Sequence, residues 1–154
     1  MIVGIVIAKE NSNRFPGKNT YLFKGKPLFW HSVEILLEAK KINDVVVATD
    51  STKIIDYCNE KNVKTVFRGI NISNDNDSLF KVLKFTFQSL NKKYSTCVSV
   101  MANCPNNTSK DIDHAVYILN DYNLMEVRSY DNNGVENGIL AMNTKVLNDY
   151  TSIS

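Results

Sequence analysis

The sequence Ile2-Val-Gly-Ile-Val-Ile-Ala8 is a short apolar run, and the polar segment KENSNRFPGKN follows it at residues 9–19. An uninterrupted apolar run of this length is typical of a strand that is covered on both faces of a parallel sheet. The polar segment carries three cations, Lys9, Arg14 and Lys18, around a Pro-Gly turn. This part of the chain therefore predicts a buried strand whose carboxyl end leads into a basic loop.

The pattern of a buried strand followed by an amphipathic helix recurs along the chain. Further strands are predicted at residues 44–49, 63–67, 96–101, about 124–130 and about 135–142, and helices at about 27–40, 51–61, 79–90, 108–122 and 144–150. Residues 131–134 predict a hairpin-like turn between the last two strands. Strands that alternate with helices through short loops predict an α/β fold: three-layer α/β/α, with a mostly parallel sheet.

Helix caps and apolar stripes support these boundaries. Pro27 suits a first helical turn, Asp50 or Ser51 can cap the second helix, and Thr108 with Asp111 predicts a capping box. The expected core stripes are Phe29, Val33, Leu36 and Leu37 on the first helix, and Ile112, Ala115, Val116, Leu119 and Tyr122 on the helix after Thr108.

Positive charge is concentrated at the start of the chain. Residues 1–30 carry five cations against Glu10 alone, whereas the net charge of the whole chain is +2. A local charge of this kind favours a small anionic ligand over nucleic acid, which needs a broad basic footprint. The basic loop, Asp50, Arg68 and the loop at 103–107 each follow a strand, and ligands of parallel sheets bind beyond the carboxyl ends of the strands. We expect these residues to share one rim.

Several other classes of protein are disfavoured. The chain has neither the GxGxxG fingerprint of dinucleotide-binding proteins nor a complete P-loop. Its apolar runs are too short to cross a bilayer, and Met1 is not followed by signal-peptide features. The cysteines Cys58, Cys97 and Cys104 form no metal or disulfide pattern, which favours reduced thiols and a cytoplasmic location.

The run from Ala8 to Asn19 resembles the ARGGSKRxPGKN signature of the CMP-sialic acid synthetase (acylneuraminate cytidylyltransferase) family. The similarity continues in order to about residue 120, and the chain looks like a shortened or divergent member. The matching segments are Gly25-Lys26-Pro27-Leu28, Val47-Ala48-Thr49-Asp50, Phe67-Arg68, Asp75 with Ser78, and Pro105.

The resemblance implies a nucleotidyltransferase fold of Rossmann type and a Mg²⁺-dependent transfer of CMP from CTP to a sialic acid-like, acidic sugar, with release of pyrophosphate. It assigns Lys9, Arg14 and Lys18 to the triphosphate as the catalytic cations. It assigns nucleotide binding to Ala8, Ser12, Gly17, Asn19, Arg68 and Ser78. The expected partners are CTP and the sugar, without nucleic acid or a membrane.

Departures from the family pattern leave alternatives open. Lys9 stands in place of Arg, Glu10-Asn11 in place of Gly-Gly, Met101 in place of a base-reading Gln, and Asn107 in place of Arg. We expect residues 1–154 to form a single domain that lacks the family's dimerisation insert and late acidic motif. The magnesium ligands and a homodimer therefore stay open. The alternatives are a catalytically weak or inactive nucleotide-binding module, or a nucleotidyltransferase that uses another NTP.

Overall fold

A computed structural model describes residues 1–10, 17–68 and 78–149. The elements, in chain order, are β1 Ile2–Ala8, a 3₁₀ turn Lys18–Thr20, β2 Leu22–Phe23, β3 Lys26–Pro27, α1 Leu28–Glu38, β4 Asp44–Thr49, α2 Thr52–Glu60, β5 Lys64–Phe67, α3 Ser78–Gln88, β6 Thr96–Met101, α4 Ser109–Asp121, β7 Glu126–Tyr130, β8 Glu136–Asn143 and α5 Thr144–Asp149.

A six-stranded sheet with the order β5-β4-β1-β6-β8-β7 forms the middle layer. Strand β1 is central and pairs in parallel with both β4 and β6, while β4 pairs in parallel with β5. Strand β8 is antiparallel to β6, and β7 is antiparallel to β8. The carboxyl ends of β1, β4, β5 and β6 therefore meet at one edge of the sheet, which confirms the mostly parallel fold that the alternation predicts.

Helices cover both faces of the sheet, so β1 is buried on both sides, as its apolar run predicts. One core cluster joins Val6 and Ala8 of β1 to the buried faces of α1, α2 and α4. The other joins Val3 and Ile5 to Leu83 of α3 and to residues of α5 and β8. A Cβ at Gly4 would lie 2.7 Å from Cδ2 of Leu36, so the absence of a side chain there lets α1 pack tightly on the sheet.

Two predicted core residues are corrected by the structure. Helix α1 ends at Glu38 and not near residue 40, and Leu37 is 52% exposed on its outer face. Tyr122 lies just after α4 and is 69% exposed. Both residues fit the helical period, but Leu37 lies in the last turn of α1 and Tyr122 follows the last residue of α4.

Ser51 caps helix α2, and Thr108 caps helix α4. The Ser51 hydroxyl accepts a 3.3 Å hydrogen bond from the Ile54 amide at the start of α2, so Asp50 is not the cap. Thr108 and Asp111 form the predicted capping box. These two caps fix the starts of the helices that follow β4 and β6, next to the rim where those strands end.

Two of the cysteine thiols are buried, as the sequence predicts. Cys58 and Cys97 are buried and unpaired, and burial raises their pKa values to about 11 and about 12.

The turn at residues 131–134 is closed by a 2.8 Å hydrogen bond from the Asp131 amide to the Val135 carbonyl. Within the described ranges, no helix has the length and apolar character that crossing a membrane requires.

Candidate functional site

A pocket of about 220 Å³ opens at the rim where the parallel strands end. Its polar lining consists of Lys9, Lys18, Asn19, Arg68, Ser99 and Asn103. Its apolar lining consists of Ile7, Leu79, Val82, Val100, Met101 and Ala102. The cations come from β1, the 3₁₀ turn and the end of β5, three separate parts of the chain that the sheet brings together.

The side chain of Arg68 is fully buried at this pocket. The Arg68 amide donates a 3.1 Å hydrogen bond to the Thr49 carbonyl, which continues the pairing of β5 with β4 by one residue. None of the three guanidinium nitrogens has a hydrogen-bond partner in the described part of the chain. A buried charge without hydrogen bonds is costly, so Arg68 is poised for an acceptor that enters the pocket.

Lys9 lies beside Arg68, and the two cations repel each other. Burial, followed by the charge of Arg68, lowers the pKa of Lys9, while Asp50 opposes this shift. Burial likewise lowers the pKa of Arg68, again opposed by Asp50. Burial of both cations and the repulsion between them therefore favour the binding of an anion in this pocket.

Gly17 turns the chain so that Lys18 and Asn19 face the end of β1. Its φ of 72° is favourable only for glycine, and its amide donates a 3.2 Å hydrogen bond to the Glu10 carbonyl. The side chain of Asn19 is almost buried and donates a 2.8 Å hydrogen bond from Nδ2 to the Lys9 carbonyl. Its Oδ1 atom is buried without a partner among the described residues, so it can accept a hydrogen bond from a ligand.

The end of β6 lines the pocket and packs against the start of β8. Ser32 Oγ donates a 2.7 Å hydrogen bond to the Met101 carbonyl, which ties β6 to α1. Gly138 has a φ of 102°, and a Cβ there would lie 2.8 Å from Sγ of Cys104. Nδ2 of Asn107 donates a 2.7 Å hydrogen bond to the Asn137 carbonyl across the same junction. This junction is closely packed, while the Met101 side chain remains 44% exposed.

The structure places together four of the residues that the resemblance assigned: Lys9, Lys18, Asn19 and Arg68. Ala8 is buried at the end of β1, and Gly17 shapes the turn before Lys18. The remaining assignments, Ser12, Arg14 and the side chain of Ser78, lie outside the described residues, as does Asp75. Their roles stay predictions.

Other residues at the site escaped the sequence analysis. Ser99 resembles any small residue within a buried strand, and Leu79 and Val82 belong to an ordinary helical core stripe. No signal in the sequence distinguishes them from core positions. Asp50, which the sequence offered as one of two possible helix caps, instead accepts a 2.9 Å hydrogen bond from the Glu10 amide through its Oδ1 atom.

The described residues contain no preassembled cluster of metal-binding side chains. They contain no group of three or more His, Cys, Asp or Glu side chains with the spacing to hold a metal ion. The Asp50 carboxylate, which attracts both Lys9 and Arg68, already accepts a hydrogen bond from the Glu10 amide. The predicted dependence on Mg²⁺ thus finds no preformed set of ligands in this part of the chain.

The fold and the cationic pocket at its rim define a domain of the nucleotidyltransferase type. Residues 3–146 match the family model described as cytidylyltransferase, and the chain belongs to this family. It is 29% identical over 121 residues to CMP-N,N'-diacetyllegionaminic acid synthase of Legionella pneumophila, an alignment that covers 76% of this chain and 52% of that protein.

A second relative is the 3-deoxy-manno-octulosonate cytidylyltransferase of Protochlamydia amoebophila, which is 35% identical over 82 residues. That alignment covers 53% of this chain and 32% of the relative. The chain therefore spans about half of the first relative and a third of the second. These matches agree with the resemblance to a cytidylyltransferase family that the sequence motifs indicate.

Solved structures confirm the fold. A CMP:2-keto-3-deoxy-manno-octonic acid synthetase complexed with CTP superposes with a TM-score of 0.78 at 17% identity, covering 97% of this chain and 76% of that one. A cytidylyltransferase from Leptospira borgpetersenii gives a TM-score of 0.72 at 22% identity, covering 96% of this chain and 62% of that one. At such identities the likeness establishes the three-layer architecture alone.

Proposed function

We propose that this chain binds CTP at the rim pocket and transfers CMP to an acidic, sialic acid-like sugar, releasing pyrophosphate. The observation that carries the proposal is the buried guanidinium of Arg68, whose three nitrogens have no hydrogen-bond partner among the described residues, in a pocket that also holds Lys9 and Lys18. Planar guanidinium groups form strong, bidentate hydrogen bonds with phosphate and carboxylate oxygens. A nucleotide offers several such oxygens.

The proposed reaction depends on charge and position. A hydroxyl oxygen of the sugar attacks the α-phosphorus of CTP, the bond from that phosphorus to the bridging oxygen of the β-phosphate breaks, and pyrophosphate leaves with its electrons. The hydroxyl proton passes to solvent. Lys9, Lys18 and Arg14 would neutralise the triphosphate as charge moves onto the leaving group.

The ribose and the base are proposed to contact the more buried part of the pocket. Oδ1 of Asn19, which has no partner among the described residues, would accept a hydrogen bond there, and Arg68 and Ser78 complete the assignment made by resemblance. The apolar side chains of Leu79 and Val82 line the same pocket and supply a surface against which a base can pack. The roles of Arg14, Ser12 and Ser78 in this arrangement rest on the resemblance alone.

A second candidate is a nucleotidyltransferase that uses a different base. Met101 lines the pocket with its side chain 44% exposed, at the position where the resemblance places a base-reading glutamine. A thioether accepts hydrogen bonds only weakly, so this wall offers less discrimination between bases than an amide would. This observation favours testing all four nucleotides.

The sugar is proposed only as a class. Relatives named for legionaminic acid and for 3-deoxy-manno-octulosonate both suggest an acidic sugar. Mg²⁺ enters the proposal only as an ion carried by the triphosphate, since Mg²⁺ commonly binds through substrate phosphates with few protein ligands. No step is assigned to it here.

The proposal is tested in two stages. Calorimetric titration with CTP, UTP, ATP and GTP, each with and without MgCl₂, is expected to show 1:1 binding that is tightest for CTP. Equal affinity for all four nucleotides would favour the second candidate. Pyrophosphate release is then measured with CTP and a panel of acidic sugars. Binding of CTP without turnover on any of them would identify a nucleotide-binding module.

A further inference from the structure

Three charged residues lie side by side at the rim because of strand register. Ala8 of β1 is paired with Thr49 of β4, and Thr49 is paired with Phe67 of β5. The residue that follows β1 is Lys9, the residue that follows β4 is Asp50, and the residue that follows β5 is Arg68. The register of the sheet therefore sets one carboxylate between two cations, with Asp50 on the middle strand.

The carboxylate of Asp50 is also a structural link. Its Oδ1 atom accepts a 2.9 Å hydrogen bond from the amide of Glu10, the second residue after β1. Glu10 in turn accepts a hydrogen bond from Gly17 through its carbonyl. One side chain thus connects the end of β4 to both flanks of the basic segment.

The two cations need this negative charge when the pocket is empty. Lys9 and Arg68 are partly or wholly buried and repel each other, and Asp50 is the source of attraction that acts on both. A buried cation without a nearby anion tends to lose its proton, or, if it keeps the charge, it destabilises the fold. An ionised carboxylate between them counters both effects.

We propose that Asp50 is a positioning residue of the nucleotide site: its carboxylate keeps Lys9 charged beside Arg68 before CTP arrives, and holds the Glu10 amide so that both cations face the pocket. Asp50 makes no contact with the phosphates in this proposal. It acts through Lys9, Arg68 and the backbone. The inference rests on the proposed binding of CTP.

The test is the pH dependence of CTP affinity. Asp50→Asn keeps an oxygen that can accept the Glu10 amide but removes the charge, so the pKa of Lys9 falls further. We expect affinity near pH 7 to stay within about threefold of wild type, and the alkaline midpoint of the affinity profile to move down by about half to one pH unit. Asp50→Ala loses the acceptor as well, and is expected to bind more weakly at every pH.

Other groups near the site are controlled. The triphosphate stays fully ionised above pH 7.5, and Arg68 does not titrate in the range used. Lys18 lies in the same pocket, and Cys104 lies near Lys18, so the pH series is repeated in the Cys104→Ser background. In a Lys9→Met background, Asp50→Asn is expected to cause no shift of the alkaline midpoint.

Control variants make the outcome decisive. Asp56→Asn removes the same charge from the exposed face of α2 and should leave the midpoint unchanged. Asp50→Glu retains the charge and should keep the wild-type midpoint, which provides a test if Asp50→Asn does not fold. Alkaline profiles of wild type and Asp50→Asn that superimpose, or a loss of affinity equal at all pH values, would overturn the inference alone. Absence of CTP binding in the wild type would overturn both the proposed function and this inference.

Discussion

The side-chain amide of Asn19 donates a 2.8 Å hydrogen bond to the backbone carbonyl of Lys9. This bond joins the 3₁₀ turn to the end of β1, while Oδ1 of Asn19, a residue that lines the pocket, is buried without a partner among the described residues. One buried amide therefore serves both the structure of the site and its capacity to bind a ligand.

Asn19→Ala is expected to weaken CTP binding by about tenfold, because one good hydrogen bond is lost and Lys18 is no longer held beside β1. The unfolding free energy should fall by about 1 kcal/mol. Calorimetry and urea unfolding measure the two effects. Asn120→Ala on the exposed face of α4 is the matched control, and an affinity loss as large in that control would contradict the assignment.

Arg68→Met is expected to leave the unliganded protein as stable as the wild type or more stable. Methionine fills a similar volume and removes a buried charge that has no hydrogen-bond partner among the described residues. Urea unfolding without nucleotide tests this expectation. A loss of more than about 2 kcal/mol would show that Arg68 stabilises the empty fold and is not held in readiness for a ligand.

Gly138→Ala is expected to destabilise the protein by about 2 to 4 kcal/mol. The φ of 102° strains an L-residue, and the new methyl group would lie 2.8 Å from Sγ and 3.0 Å from Cβ of Cys104. Gly134→Ala is the control for backbone strain alone, since a Cβ there meets no atom within 4 Å. Equal effects of the two substitutions in thermal or urea unfolding would show that the packing at Cys104 contributes nothing.

The pair formed by Tyr94 and Asp44 should make stability depend on pH at both ends of the range. The Tyr94 hydroxyl donates a 2.6 Å hydrogen bond to Oδ2 of Asp44, which lowers the pKa of Asp44, while burial and this bond raise the pKa of Tyr94 to about 12. A lowered carboxyl pKa gives stability that is present above the unfolded pKa of about 4 and is lost as pH falls through the folded value. A raised tyrosine pKa gives stability that is lost as pH rises from about 10 to 12.

Tyr94→Phe is therefore expected to be less stable than wild type at neutral pH by about 1.5 kcal/mol, with the gap narrowing below pH 4. Urea unfolding between pH 3 and pH 8 measures the gap. Tyr117→Phe, at an exposed position on α4, should follow the wild-type curve. A constant gap between Tyr94→Phe and wild type at all pH values would contradict the proposed linkage.

Most of the sheet could be predicted because its strands are buried on both faces and read as continuous apolar runs. Strands β1, β4 and β6 lie where the sequence places them, within one residue. The hairpin β2–β3 was not predicted, since strands of two residues leave no periodic signal. Leu37 and Tyr122 were wrongly assigned to the core because a helical period does not show which apolar residues near a helix end remain exposed.

The site was predictable in part. Cations after β1 and an arginine after β5 are visible in the sequence, and parallel strands bring such residues to one edge. Burial of Arg68 was not predictable, because it depends on the packing of α3 and on residues that look like ordinary core. The role of Asp50 was also hidden, since its significance arises from the register of three strands and not from its neighbours in sequence.

In the proposed complex, the buried guanidinium of Arg68 holds the nucleotide at the rim of the sheet. The most direct test of this role is calorimetric titration of CTP into wild type and into Arg68→Met, with unfolding curves run on both to show that each is folded. We expect the wild type to bind CTP with 1:1 stoichiometry and the variant to bind CTP with an affinity at least about a hundredfold lower. No heat with the wild type, or equal affinity in the two folded proteins, would contradict it.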